Sequence, residues 1–236
     1  MLQNANKVHR LMNPIQDLKM SLQEECTNVY NSFHHTADPE YAKAAATIRA
    51  VTANHKATFD RSTVIQVGTS MPPFILPDAT ASLVSSSQLL VSGPILINFY
   101  RGSWCPYCNL ELRALQKMLP EFKKRNVTLV AISAELPDTT LDTKSKLELE
   151  FPVLSDVGNV FARKMGILWK QPDVMRDLLA FTEWKKRYGT EEMDIVVAGT
   201  FLVNQEGVVK NVFVEPNWHE RLEPQTALEW IDALQS

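Results

Sequence analysis

The chain has 236 residues, 45% of them hydrophobic, enough to bury a core of ordinary size in one domain with additions or in two small ones. Its 24 basic and 27 acidic residues leave a formal charge of −3 with no long block of either sign, which argues against a nucleic-acid or anionic-membrane surface and for protein or small-molecule partners. No apolar run approaches the roughly 20 residues that cross a bilayer, "MLQNANKVHRLMN" lacks the apolar stretch of a secretory signal, and three cysteines are too few for a disulfide scaffold, so a cytoplasmic, reducing location is expected.

The first 63 residues read as a helical hairpin separate from the rest. Asn13 followed by Pro14 has the form of an N-cap with proline at the first helical position, and Ile15, Leu18, Leu22, Cys26, Val29 and Phe33 then recur at steps of three or four. Asp38 and Pro39 repeat the signal ahead of a weaker stripe of Tyr41, Ala45, Ile48, Thr52, His55 and Phe59. Such a hairpin is expected to cover the core or to form a homodimer contact.

From residue 64 to 236 short apolar strands alternate with amphipathic helices. Ile95 to Tyr100 and Val127 to Ser133 read as strands, with Leu112, Leu115, Leu119 and Phe122 marking a helix between them, a βαβ unit. A helix is expected from Leu141 to about Glu150, a short extended segment at "FPVLSD", and a helical piece around Val160 to Met165. Residues 171–192 read as a helical insertion rich in charge and aromatics. Phe201 to Val203 and Val208 to Val214 flank "NQEG", where Gly207 suits a hairpin turn, and Pro224 to Leu234 closes the chain as a helix. The order outlines an α/β domain with a mixed sheet.

The chemistry gathers at "FYRGSWCPYCNLELRAL", where Cys105 and Cys108 stand three apart at a strand-to-helix turn. Pro106 suits the first helical turn, which sets Cys105 at the helix N-terminus, where free N–H groups and the dipole favour a thiolate. One turn later Cys108 can attack a mixed disulfide on Cys105. Structural zinc needs four ligands and no histidine lies near the motif, so neither a metal nor another cofactor is expected. Trp104 and Tyr107 suit a partly exposed docking surface or loop packing. Cys26 reads as a small buried hydrophobe, with a resolving thiol as the alternative, and His219 as a surface residue. Cys105, at the very start of the helix, is expected to be the more acidic and accessible thiol.

On these residues the chain resembles the peroxiredoxin-like branch of the alkyl hydroperoxide reductase and thiol-specific antioxidant (AhpC/TSA) family, over roughly Val64 to Leu234. The likeness rests on "GPILINFYRGSWCPYCNLELRAL", "FPVLSDVGNVFARKMGI", "GTFLVNQEGVV" and "EPNWHERLEP". It implies a thioredoxin-like α/β fold and a thiol-dependent peroxidase acting on hydrogen peroxide or an organic hydroperoxide, with thioredoxin or glutathione as electron donor. "CPYC" is also similar to the glutaredoxin active site, so a dithiol–disulfide oxidoreductase is the alternative, followed by a thioredoxin-fold protein diverted to specialised metabolism or binding. The family's Pro-x-x-x-Thr-x-x-Cys loop, laid on this chain, puts Arg101 at the proline, Cys105 at the threonine and Cys108 at the attacking cysteine. The family's later arginine and the cis-proline of dithiol enzymes are both missing from "VVAGTF", which leaves Gly199 and Thr200 as the supporting residues there. Arg101 either supplies the missing charge or fixes the loop.

Overall fold

The computed structural model describes residues 20–235. Helices α1 (Leu22–His34) and α2 (Pro39–Thr58) form the N-terminal hairpin. Ser21 opens α1 through a reciprocal capping box with Glu24, and Asp38 caps α2 ahead of Pro39. The start read at Asn13 and Pro14, with Ile15 and Leu18, lies outside the described residues. Leu22, Cys26 and Val29 of α1 are buried inside the chain itself, so this part of the stripe serves as an intramolecular cover. A ribbon of β1 (Ile75–Pro77) and β2 (Leu83–Ser85) and a short helix α3 (Ser86–Ser92) follow, none of which stood out in the sequence.

Strand β3 (Ile95–Phe99), helix α4 (Pro106–Lys124) and strand β4 (Thr128–Ser133) make the expected βαβ unit, with β3 and β4 parallel. Helix α5 (Pro137–Lys146) begins and ends four residues earlier than expected. Pro137 takes its first position, and Glu148 at φ 52° stops any right-handed continuation. β5 (Val153–Ser155) and α6 (Val160–Lys164) follow; after them β6 (Leu168–Lys170) and β7 (Asp194–Val196) pair as a ribbon. Between these two strands, residues 171–192 form two five-residue helices, α7 (Val174–Leu178) and α8 (Trp184–Tyr188), joined through a 3-10 turn. β8 (Gly199–Val203) and β9 (Val209–Val214) form the late hairpin, whose Gly207 sits at φ 78°, and α9 (Pro224–Gln235) ends the described chain.

The central sheet runs β5-β4-β3-β8-β9, parallel on one side of β3 and antiparallel on the other. Strand periodicity divides the core. Ile95, Ile97 and Phe99 face a layer with Phe74, Phe161 and Phe201, while Leu96 faces a layer built from α4, α1 and α9. α1 therefore packs on α4, the helix that carries the cysteine pair. Burying a side chain such as Leu22 there stabilises by about 1.5–3 kcal/mol.

Candidate redox site

β3 delivers the chain to the redox loop and α4 carries it away. Pro106 occupies the first helical position, as its fixed φ and missing N–H allow, and Cys105 is the N-cap. The loop is pinned from behind by the insertion. Tyr188 donates from its hydroxyl to the Arg101 carbonyl at 2.6 Å and accepts from Trp104 Nε1 at 2.6 Å. Arg187 Nη1 meets both Ser103 Oγ and Glu135 Oε1 at 2.7 Å, and the Ser103 N–H donates to the Glu135 carboxylate. Gly102 lies where these groups converge; a Cβ there would stand 2.6 Å from the Tyr188 hydroxyl and 2.8 Å from Glu135 Oε1. Only glycine fits that approach.

All three cysteines are free thiols, and all are buried. Cys105 is 2% exposed and Cys108 0%, which overturns the accessible Cys105 expected from the helix start: the α1 stripe and Tyr107 close over the helix N-terminus in one apolar cluster. Their acidities diverge. Burial pushes Cys105 up, but the Cys108 thiol, the Arg101 and Arg221 charges and the Cys108 N–H outweigh it and bring its pKa down to about 6. The Cys105 side chain closes no regular cap hydrogen bond, so these facing groups act on its sulfur across the turn. Burial and the neighbouring Cys105 hold Cys108 well above the ordinary thiol range. Burial likewise pushes Cys26 up to about 12, despite Arg221.

Sequence reasoning named Arg101 but missed Arg221, the second charge that makes this difference. Arg221, from the loop after β9, is buried, and its Nη2 lies 3.7 Å from Cys108 Sγ. Its Nε stands 2.9 Å from Glu111 Oε2, in an ion pair too bent for a regular hydrogen bond. Glu111 sits three residues after Cys108 on the buried face of α4, and Asn98 of β3 donates to its other oxygen at 2.9 Å and to Thr200 Oγ1 at 3.2 Å. Burial, against the pull of Arg221, raises the Glu111 pKa to about 7. An arginine thus stands beside the cysteine pair, from a different element than "VVAGTF". "EPNWHERLEP" held the signal, but a lone arginine in a loop has no periodicity to reveal it; Glu111, on an otherwise apolar helix face, was the more legible of the two.

The remaining expected residues fall around this centre. Arg101 is 3% exposed, its guanidinium 4.2 Å from the Trp218 ring and its Nη2 3.4 Å from the Trp218 carbonyl. Trp104 is half-buried between the loop and Trp184, and Tyr107 is buried. Thr200 pairs with Asn98 across β3 and β8, and Gly199 pairs with Phe99, packed so closely on β9 that a Cβ would meet the Phe213 carbonyl at 2.7 Å. His219, expected at the surface, is half-buried with its ring 4.2 Å from Tyr30, because α1 lies over its loop. Gln23 of α1 ties that loop down by donating to the His219 carbonyl and accepting from the Arg221 N–H. Among the described residues no cluster of metal-ligating side chains occurs.

Comparison with known proteins agrees with this architecture. The AhpC/TSA family model matches residues 67–212. A putative peroxiredoxin bcp of Buchnera aphidicola is 26% identical over 151 residues, 64% of this chain and 85% of the relative. A thiol-disulfide oxidoreductase ResA of Bacillus cereus is 24% identical over 111 residues, 47% of this chain and 63% of the relative. Among solved structures, peroxidoxin BcpB of Mycobacterium tuberculosis superposes with a TM-score of 0.58 at 22% identity, over 73% of this chain and 99% of that one. Cys26 and Arg221 lie outside the matched residues, whereas strands β3, β4, β5 and β8, both loop cysteines, Arg101 and Glu111 lie inside them, and the chain belongs to the AhpC/TSA family with a thioredoxin-type fold.

Proposed function

We propose that the protein is a thiol peroxidase in which Cys105 attacks and Cys108 resolves. The observation that carries this reading is the divergence of the two thiols across one helical turn, with Cys105 drawn toward the thiolate near neutral pH by the Cys108 thiol and by the Arg101 and Arg221 charges. The Cys105 thiolate displaces an alcohol or water from the O–O bond, taking one oxygen to become a sulfenic acid while the departing oxygen takes a proton. Cys108 then attacks the sulfenic sulfur, expelling water and leaving the Cys105–Cys108 disulfide. Two electrons and two protons from an external dithiol such as thioredoxin, or from two glutathione molecules, restore the pair. Arg101 and Arg221 stabilise the negative oxygen as it leaves. Glu111, near pH 7 in its affinity for protons, suits acceptance of the Cys108 proton. The reading includes a cytoplasmic location and a homodimer.

The test is peroxide consumption by the purified chain in the presence of thioredoxin and its reductase, or glutathione and its reductase. Turnover that disappears in both Cys105→Ser and Cys108→Ser supports the proposal. The second reading, a dithiol–disulfide oxidoreductase, is favoured by the likeness to ResA and by the Cys-Pro-Tyr-Cys spacing. Rapid reduction of a protein disulfide without peroxide turnover would select it.

A further inference from the structure

Arg101 carries a positive charge that the rest of the site leaves unbalanced. It is 3% exposed, and among the described residues its Nε and Nη1 have no hydrogen-bond partner and no carboxylate pairs with it, whereas Arg221 has Glu111 and Arg187 has Glu135. Its guanidinium stacks on Trp218, Trp218 meets Trp169 edge-on at 6.4 Å, and Trp169 stacks on His55 at 3.9 Å. His55 is also 3% exposed, with both ring nitrogens unpartnered. Trp169 and Trp218 are each partly exposed, so the aromatic walls reach solvent while the polar groups do not.

A buried guanidinium without an anion is costly. In the reduced protein the Cys105 thiolate balances it through space. Oxidation to the Cys105–Cys108 disulfide removes that charge, and Glu111 remains committed to Arg221. We propose that Arg101 anchors a carboxylate-binding subsite, walled by Trp218 and Trp169, that fills when Cys105 is no longer a thiolate and takes the carboxylate of an acidic thiol reductant. Planar carboxylates suit both the guanidinium donors and the aromatic walls. By linkage, a carboxylate that prefers the thiolate-free protein must also favour the oxidised state. The inference rests on the reading of Cys105 as the thiolate, and it deepens that reading by naming the group of the reductant that is recognised and the residue that recognises it.

Two experiments test it. Benzoate, with benzamide as its neutral counterpart, is titrated against reduced wild type and against the Cys105→Ser/Cys108→Ser double variant, followed by tryptophan fluorescence. The expected result is benzoate binding on the order of tenfold tighter to the thiolate-free protein, no benzamide binding, and loss of benzoate binding in Arg101→Gln. The disulfide of wild type and of Arg101→Gln is then reduced by 3-mercaptopropionate and by 2-mercaptoethanol. The ratio of the two rates should favour the carboxylate thiol several-fold more in wild type. Where reduced wild type does absorb as a thiolate at 240 nm, equal benzoate binding to both forms, or a rate ratio untouched by Arg101→Gln, overturns the subsite. Absence of thiolate absorbance at 240 nm in reduced wild type would instead overturn the functional reading, while saturable benzoate binding abolished by Arg101→Gln would still support the subsite.

Discussion

Glu111→Gln isolates the buried carboxylate without changing its shape. The Asn98 amide still finds an oxygen acceptor at this position, and the substitution removes the titration together with the charge that pairs with Arg221. In the native protein burial lifts the Glu111 pKa from 4.5 to about 7. Between those values the folded chain holds a proton that the unfolded chain has released, so this group makes stability fall as pH rises through that window. At about 1.4 kcal/mol for each tenfold change in proton affinity, the loss totals about 3 kcal/mol. The variant bears a constant cost for leaving Arg221 without its carboxylate, but that cost does not follow the Glu111 titration. Urea denaturation under reducing conditions, at steps from pH 4.5 to 8, should therefore show wild type losing about 3 kcal/mol relative to the variant, a relative midpoint shift of about 1–2 M. Parallel pH profiles for the two proteins would refute the buried, proton-binding Glu111.

Tyr188→Phe strands the Arg101 carbonyl and the Trp104 N–H; it should cost about 2 kcal/mol in urea denaturation and raise the Cys105 pKa read at 240 nm. Leu22→Ala, in the α1 cover, should cost about 3 kcal/mol and speed alkylation of Cys105 by iodoacetamide in the native protein. Mild oxidation followed by denaturing alkylation and peptide mass analysis should find Cys105 joined to Cys108 and Cys26 still a free thiol, since burial pushes the Cys26 thiol up to about 12 and keeps it from reacting.

Local signals carried most of what was legible in the sequence. The βαβ unit, the start of α4 at Pro106 and the turn at Gly207 are each written in residues adjacent along the chain, and the structure places them there. Family likeness supplied the fold around them. Long-range partners were not legible. Arg221 stands 113 positions from Cys108 and meets it through tertiary contacts alone, Gln23 of α1 holding its backbone and Glu111 of α4 its guanidinium. The insertion offered composition without a role, since neither Tyr188 nor Arg187 has any sequence relation to the loop each one holds. Accessibility failed for the same reason: a helix N-terminus is open by default, and only tertiary packing shows that α1 covers this one.

The most direct test is the site of first oxidation. Each loop cysteine is replaced by serine in turn, one equivalent of hydrogen peroxide is added at pH 7, and sulfenic acid is trapped with a dimedone reagent before mass analysis. The account predicts labelling of Cys105 in the Cys108→Ser protein and little on Cys108 in the Cys105→Ser protein, because only Cys105 is held as a thiolate near neutrality. Preferential labelling of Cys108 would contradict it and make Cys108 the attacking thiol, as the peroxiredoxin loop alignment places it.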